Sequence, residues 1–392
     1  MAFNNNHNHP ARYAHIVGWG KFLPPNIMTN DDLAKKVDTS DKWIRERTGI
    51  AERRIATKET TASMALYAAQ DALEVADINP SEIDLVIVAT STPEYIFPAT
   101  ASIVQDQLGA RNAAAFDLSA ACSGFVYALS VGASMVRAGT YDTVMVIGSE
   151  TMSRILDWKD RATCVLFGDG AGAVILRGSE QYGGILSTVL GSDGSGGELL
   201  EVPAGGSKHP ASLETVMGNL HTIRMNGREV YRFATRVMVD ATKQALDKAH
   251  IPQDELDMLI PHQANVRIID YAAKSLNLPS DKVFVNLQKY GNTSAASIPI
   301  ALTEAIEEKR VNPGDHLVFV GFGGGLTWGS CAIEWTEPTI KRQTTRQRVA
   351  QSKLRYQWAH LKSFGHRVLR RVDSGVSKTL DIIERQENRN GD

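Results

Sequence analysis

Two patterns of apolar residues alternate along this chain. Short, almost continuously apolar runs at 85–90 (LVIVAT), 143–148 (TVMVIG) and 316–321 (HLVFVG) predict strands that are covered on both faces. Between such runs, apolar residues recur every three to four positions, as in GFVYALSVGASMV at 124–136, which predicts helices. The alternation predicts an α/β protein built from buried sheets and packed helices.

The pattern occurs twice, at an offset of 173 residues: ALEVADINPSEIDLVI at 72–87 corresponds to ALDKAHIPQDELDMLI at 245–260. Both copies end in a glycine-rich segment, FGDGAGAVIL and GFGGGLTWGSCAIEW, and each of these predicts a turn followed by a β-hairpin. We therefore expect two similar halves, residues 12–185 and 215–336, around a pseudo-twofold axis. Residues 186–214 are predicted to be a connecting loop region.

Composition adds limits to this picture. The chain has 392 residues, 43% hydrophobic and 22% charged, as in globular proteins, and no apolar run reaches the ~18–20 residues of a membrane span. Residues 1–11 lack the apolar core of a secretory signal and are predicted to be a disordered lead-in. Three cysteines, far apart and odd in number, do not form a disulfide framework, so we expect a cytoplasmic protein with room for one reactive thiol.

The C-terminal segment differs in charge from the rest of the chain. Residues 337–392 carry 13 Lys/Arg against six Asp/Glu, although the whole chain has a net charge of −2. Apolar residues spaced three to four apart between 354 and 383 predict a basic amphipathic helical extension. Three interpretations stay open: packing on the body or a solvated tail, peripheral contact with an anionic membrane, or contact with an acidic carrier protein. We expect no nucleic-acid partner.

Cys122 is the first candidate for chemistry. It lies in DLSAACSGF, between a short apolar segment and a helical pattern, so the thiol is predicted at a strand-to-helix turn. Free backbone N–H groups and the helix dipole favour an anion there, which makes a thiolate accessible near neutral pH. The alternative is an inert core cysteine.

Two further candidates come from the second half. His262, in IPHQANVR, follows a buried strand, where active sites of α/β sheets collect; the alternative is a structural histidine. Asn292 lies in YGNTSAAS, and the 173-residue offset carries Cys122 into this motif at Ala295, so the two turns correspond; the alternative is a plain turn former. The glycines at 321–325 suit an oxyanion hole of backbone N–H groups, and no phosphate-loop Lys-Ser/Thr follows them.

Five motifs, DLSAACSGF, FGDGAGA, PHQAN, GNTSAAS and GFGGGLTWG, occur in order within residues 12–336. Together they resemble the β-ketoacyl-acyl carrier protein synthase III family, the initiating condensing enzymes of fatty acid synthesis. The resemblance implies a thiolase fold of two βαβαβαββ halves in αβαβα layers, and a homodimer. It also implies decarboxylative Claisen condensation of an acyl-CoA with malonyl-acyl carrier protein, without metal or cofactor.

The resemblance also implies residue roles. Cys122 would carry the acyl group, His262 and Asn292 would stabilise the enolate, and the N–H groups of Cys122 and Gly324 would form the oxyanion hole. Residues implied in CoA binding are Trp43, Arg47, Arg161, Gly227, Tyr231 and Asn265, where Tyr231 replaces a phenylalanine common in the family. The acyl pocket would include Met152, Phe167 and Phe97, the last reaching across the dimer interface, and Arg267 would receive the carrier protein. Ordinary packing and solvated surface charge are the alternatives for Trp43 and the arginines.

Three alternative functions can be compared with the sequence: two other enzymes of the same fold and a non-catalytic scaffold. A related acyltransferase of secondary metabolism would use another acceptor or a longer acyl starter. A degradative thiolase would need a second cysteine in the last glycine-rich turn, where Leu326 and Thr327 stand instead, and Cys331 lies too far along the predicted strand. A non-catalytic scaffold would not need the Cys122, His262 and Asn292 set.

Overall fold

The computed structural model describes residues 11–336. The predicted basic amphipathic extension at 337–392, and all but one residue of the predicted lead-in, lie outside this part of the chain.

The described residues form strands and helices that alternate through most of their length. The strands are β1 Tyr13–Phe22, β2 Ile27–Thr29, β3 Glu52–Arg54, β4 Leu85–Ala89, β5 Ala114–Leu118, β6 Thr143–Glu150, β7 Gly170–Ser179, β8 Gly184–Ser192, β9 Leu200–Glu201, β10 Arg224–Met225, β11 Met258–Pro261, β12 His316–Gly323 and β13 Thr327–Glu334. The helices are α1 Asn30–Ala34, α2 Asp41–Thr48, α3 Thr61–Ala76, α4 Thr100–Leu108, α5 Gly124–Arg137, α6 Arg161–Cys164, α7 Leu213–Met217, α8 Gly227–Ala249, α9 Val266–Ser275, α10 Leu287–Tyr290 and α11 Ser297–Glu307.

Two mixed sheets repeat one topology. The first has the order β1-β7-β6-β4-β5, in which β4 is parallel to β5 and β6, and β7 is antiparallel to both its neighbours. The second has the order β11-β12-β13-β8, in which β11 is parallel to β12, and β13 is antiparallel to both its neighbours. A parallel bridge from Leu259 to Val283 occupies the place of a fifth strand. β6 and β12 are separated by the 173-residue offset read from the sequence. The predicted duplication is therefore present in the fold.

Five layers result from this duplication. Helices α3 and α4 cover the outer face of the first sheet, and α8 covers the outer face of the second sheet, with α9 packed against it. Helices α5 and α11 lie between the sheets, where an apolar core draws on both halves and includes Phe125, Leu302 and Phe319. The predicted layered α/β arrangement is confirmed.

Two predictions about the junction of the halves are wrong. Residues 184–192, at the start of the predicted 186–214 connecting loop region, form β8, which pairs with β13 from Ser192–Thr327 to Gly184–Glu334. The chain turns at Gly183 and Gly184, both with positive φ, and so leaves the first sheet for the second. β8 therefore belongs to the second sheet, although the sequence predicts residues 184–185 in the first half and 186–192 in the connecting region. For the same reason FGDGAGAVIL forms no hairpin, whereas the predicted hairpin of the second half is confirmed as β12–β13.

Helices within residues 11–336 are each too short or too polar to cross a bilayer.

Candidate active site

Cys122 lies in a 3-10 turn, Ala121–Ser123, between β5 and α5. Ala121 has φ +46°, and the hydroxyl of Ser123 donates to Ala120 O at 2.8 Å and to Thr327 Oγ1 at 2.9 Å. These bonds tie the turn to the β12–β13 hairpin of the other half. The thiol side chain is 6% exposed.

The duplicated turn, Ser294–Ala296, precedes α11 and holds Asn292 in place. Asn292 Oδ1 accepts the Ser294 N–H at 2.8 Å, and Ser294 has φ +50°, like Ala121 at the matching position. The Asn292 backbone exchanges hydrogen bonds with Leu166 O at 2.8 Å and with the N–H of Gly168 at 3.0 Å. Because Oδ1 faces the Ser294 N–H, the amide is oriented with its NH₂ group as the donor towards the Cys122 sulfur.

His262 follows β11 and is buried. Its Nδ1 lies 2.6 Å from Ser297 Oγ, on the first residue of α11, whereas its Nε2 has no partner among the described residues. Burial lowers the pKa of this imidazole to about 3, so the ring is neutral at physiological pH. A Cβ added at Gly321 would lie 3.6 Å from both Cys122 O and His262 Cβ, so the histidine and the cysteine turn lie close together beside this point of β12.

The electrostatics at Cys122 differ from the sequence-based expectation. Burial raises the pKa of the thiol to about 12, the hydrogen bond from Ser294 lowers it, the charge of Glu150 raises it, and the hydrogen bond from Asn292 lowers it. The expectation of a readily accessible thiolate rested on the N-terminus of α5. In the folded chain, loss of solvent outweighs that contribution, so the free enzyme holds a protonated thiol.

A cavity of about 360 Å³ opens at the sulfur. Its apolar wall includes Met152 and Phe167, as the sequence predicted, and Gly324 lines it beside Cys122. The other residues that line it are Ser91, Ser119, Ala120, Ala121, Ile155, Leu200, Glu201, Val202, Ile223, Ser294, Gly325 and Thr327. Phe97 does not line the cavity of its own chain. It is 85% exposed and projects from the surface beside the exposed Tyr95 and Ile96.

The strand β12 approaches the cysteine turn closely at Gly323. A Cβ at this position would lie 2.6 Å from the backbone nitrogen of Cys122 and 3.0 Å from Ala121 Cβ. Only glycine allows this contact, which brings the backbone after β12 to the same wall as the Cys122 amide. Cys122 and Gly324, the two residues predicted as oxyanion donors, therefore line one cavity.

The predicted CoA-binding residues form two clusters on the outer surface. The Arg161 guanidinium carbon lies 5.0 Å from the centre of the Trp43 ring, and that of Arg47 lies 5.9 Å from it. In the second cluster, the Arg267 guanidinium carbon lies 5.6 Å from the centre of the Tyr231 ring. Tyr231 belongs to α8, four residues after Gly227. Asn265 caps α9 through Arg267 N–H at 2.9 Å and donates to Arg47 O at 3.1 Å, which joins the clusters.

Comparison with known proteins decides the family. Residues 116–194 match the model for 3-oxoacyl-[acyl-carrier-protein] synthase III, and residues 246–335 match that for its C-terminal part. The β-ketoacyl-[acyl-carrier-protein] synthase III of Desulfitobacterium hafniense strain DCB-2 is 54% identical over 323 residues, which cover 82% of this chain and 98% of the relative. That of Caldanaerobacter subterraneus is 54% identical over 325 residues, which cover 83% and 98%.

This chain belongs to the β-ketoacyl-[acyl-carrier-protein] synthase III family.

Solved synthase III structures agree with the fold. The enzyme of Aquifex aeolicus superposes with a TM-score of 0.77 at 51% identity, covering 82% of this chain and all of that one. The priming β-ketosynthase of the R1128 polyketide pathway superposes with a TM-score of 0.78 at 35% identity, covering 85% of this chain and 99% of that one. The predicted thiolase fold and the assignment as a condensing acyltransferase are confirmed.

Sequence reasoning missed four residues of this synthase III site. Ser294 and Ser297 lie within GNTSAAS. The 173-residue offset pairs them with Ala121 and Gly124, which flank Cys122 and Ser123. Gly323 lies in a recognised glycine run, but only the fold shows which backbone atom it approaches. Glu150 ends the buried strand β6 and is itself fully buried, a charged residue at the carboxyl edge of the sheet where sites collect.

Proposed function

We propose that this chain joins an acyl-CoA to malonyl-acyl carrier protein with loss of CO₂, giving a 3-oxoacyl-acyl carrier protein and so initiating fatty acid synthesis. One observation carries the proposal: the Cys122 thiol opens into a cavity between the two duplicated turns, with the Asn292 amide and the Ser294 hydroxyl acting on the sulfur. The curated relatives named above bear the name of this activity.

In the first half-reaction, the Cys122 sulfur attacks the acyl-CoA carbonyl carbon. The new C–S bond forms first and gives a tetrahedral intermediate. The bond to the CoA sulfur then breaks, and CoA leaves before the second substrate binds, which gives ping-pong kinetics. The N–H groups of Cys122 and Gly324 donate to the oxyanion of the tetrahedral intermediate. A donor of this kind contributes about 3 kcal/mol to transition-state stabilisation.

In the second half-reaction, His262 and Asn292 hold the malonyl thioester carbonyl. Ser297 Oγ accepts the Gln263 N–H at 3.4 Å and lies 2.6 Å from His262 Nδ1. In the proposed tautomer Ser297 donates to Nδ1, and the ring carries its hydrogen on Nε2. Both donors are neutral. The C–C bond to the carboxylate breaks, its electrons pass into the enolate, and the carbanion attacks the Cys122 thioester. The tetrahedral intermediate collapses, and sulfur leaves as a thiolate that takes up a proton from solution to restore the resting thiol. No metal or redox cofactor takes part.

Outside the cavity, the two surface clusters are proposed to hold the substrates. Trp43 between Arg47 and Arg161 offers an aromatic face and two cations, which suits an adenine with phosphates. Pantetheine would pass Gly227, Tyr231 and Asn265, and the acidic carrier protein would meet Arg267. The exposed Phe97 segment would cover the partner's acyl pocket in a cytoplasmic homodimer.

The experiment is a coupled assay for both products. Purified chain receives acetyl-CoA and malonyl-carrier protein, and CO₂ release is measured together with the mass of the carrier-bound product. The proposal predicts equal amounts of CO₂ and 3-oxobutyryl-carrier protein from the wild type, and no 3-oxobutyryl-carrier protein from a Cys122→Ser variant. Acyl transfer without CO₂ release would contradict it.

The likeness to the R1128 priming β-ketosynthase favours a second candidate, priming of a secondary-metabolite pathway with another acceptor or a longer starter. A panel of acyl-CoAs of increasing length separates the two. Initiation of ordinary fatty acid synthesis predicts the highest kcat/KM with short starters, and secondary-metabolite priming predicts a preference for a longer chain or a non-malonyl acceptor.

A further inference from the structure

Behind the reactive sulfur lies a carboxyl group that the proposed reaction does not use. Glu150 is fully buried, and its two oxygens accept from the backbone N–H groups of Ser91 and Thr92, each at 3.1 Å. The hydroxyls of Thr92 and Thr90 donate at 2.6 and 3.2 Å. Burial raises the pKa of this carboxyl, whereas the donors around it favour the carboxylate, so the carboxylate is a ready proton acceptor.

Ser294 joins this carboxylate to the cysteine. Its hydroxyl donates to Glu150 Oε1 at 2.9 Å, while its side chain lines the same cavity as Cys122 and acts on the sulfur as a hydrogen-bonding partner. Asn292 Oδ1 holds the Ser294 backbone in its φ +50° conformation. Ser294 therefore lies between the cavity at the sulfur and the carboxylate, with its hydroxyl bonded to Glu150.

The other ionisable groups around this point are less suited to take the thiol proton. Glu201 of β9 lines the same cavity but is exposed to solvent. His262 faces the site from the end of β11 with its pKa lowered by burial. Glu94, on the turn after β4, accepts the Ala62 N–H of α3 at 3.0 Å. Asp169, before β7, accepts from Ser153 and from the backbone N–H of Ala56. Glu150 is the carboxylate whose charge acts on Cys122.

We propose that Ser294 and Glu150 form a proton relay that generates the Cys122 thiolate, which rests on the proposed role of Cys122 as nucleophile. The S–H bond breaks, the electron pair stays on sulfur, the proton moves to Ser294 Oγ, and the Ser294 proton moves to the Glu150 carboxylate. When CoA departs as a thiolate, the proton on Glu150 returns through Ser294 Oγ to the CoA sulfur, which restores the carboxylate. The carboxyl acts on the reacting atom through Ser294 and does not touch substrate.

The relay has a consequence for pH dependence. Two adjacent buried anions cannot both form readily, so the site holds one negative charge that lies either on Glu150 or on Cys122. Moving that charge requires no proton from solvent. The fraction of thiolate in the free enzyme is therefore independent of pH across the neutral range, whereas an isolated cysteine gains thiolate tenfold for each pH unit below its pKa.

The test is the rate of alkylation of Cys122 by iodoacetamide in the full-length protein, followed by peptide mass. Between about pH 6.5 and 8.5, the wild-type rate is expected to change less than about threefold, and that of Glu150→Gln to rise about 100-fold. Glu304→Gln is the matched control: this buried carboxyl bonds Asn286 and Tyr290, and its variant should keep the flat profile.

A wild-type rate that rises tenfold per pH unit overturns the relay, and this result needs no variant to fold. A Glu150→Gln variant that alkylates faster than wild type at every pH also overturns it, because the carboxylate would then act by repulsion alone. Acetyl-CoA loading is measured on the same samples. If acetyl-CoA adds no mass at Cys122, the proposed function fails; if it loads while the wild-type slope is tenfold per unit, the relay alone fails.

Discussion

Replacement of Gly323 by alanine tests how closely the two halves meet at the oxyanion site. The added Cβ would lie 2.6 Å from Cys122 N, 3.0 Å from Ala121 Cβ and 3.2 Å from Ser123 N. The nearest neighbour is backbone, so relief requires a shift of roughly 0.5–1 Å between β12 and the cysteine turn. Overpacking of this kind costs about 1–3 kcal/mol of folding stability.

The same shift moves the Cys122 N–H relative to the oxyanion position. Loss of one such donor costs about 3–4 kcal/mol, so acyl loading of Cys122 should slow by about 100-fold or more. Stopped reactions with acetyl-CoA, followed by intact mass, measure the loading rate, and denaturant unfolding measures stability. Gly206→Ala is the control, because no atom lies within 4 Å of its added Cβ. Loading by Gly323→Ala within about twofold of wild type would refute the reasoning.

Three further predictions concern single contacts. Ser297→Ala removes the partner 2.6 Å from His262 Nδ1, so malonyl decarboxylation should fall about tenfold while acyl loading is kept, as measured by separate assays of CO₂ and of protein mass. Burial lowers the pKa of His262 to about 3, so as the pH falls the unfolded chain protonates this imidazole at a higher pH than the folded chain does. The stability present above about pH 6.5 is therefore lost progressively towards pH 3. In urea unfolding, His262→Asn should lose less folding stability than the wild type between these pH values. An equal loss in both proteins would show that His262 is not its source. Trp43→Ala removes the ring beside Arg161 and Arg47, so KM for acyl-CoA should rise about tenfold with kcat little changed; a fall in kcat alone would place the ring elsewhere in the reaction.

Much of the fold could be predicted because the two halves keep one sequence offset, 173 residues, across several helices and strands. The offset between two helix–loop–strand segments also relates β6 to β12 and the Cys122 turn to the Asn292 turn. An apolar strand covered on both faces and a helix that follows it leave clear patterns. Such patterns place residues at equivalent points of the two halves, and the pseudo-twofold arrangement then brings them together.

The rest depends on packing between segments that are distant in sequence. β8 was missed because a strand that follows a glycine turn looks like the second arm of a local hairpin, while its partner, β13, lies 135 or more residues later. The raised pKa of Cys122 follows from its burial, which a local reading of the N-terminus of α5 does not show. Glu150 meets Ser294 only because β6 and the duplicated turn pack together, a contact between residues 144 positions apart.

Intact-protein mass during a two-step incubation shows whether Cys122 carries the acyl group and Asn292 serves only the second half-reaction. The wild type, Cys122→Ser, Asn292→Ala and a buried-cysteine control, Cys164→Ser, receive acetyl-CoA and then malonyl-carrier protein. We expect wild type and control to gain an acetyl group and then to lose it as product. Cys122→Ser should gain none, and Asn292→Ala should gain one and retain it. An acetyl group on Cys122→Ser, or wild-type turnover by Asn292→Ala, would contradict these roles.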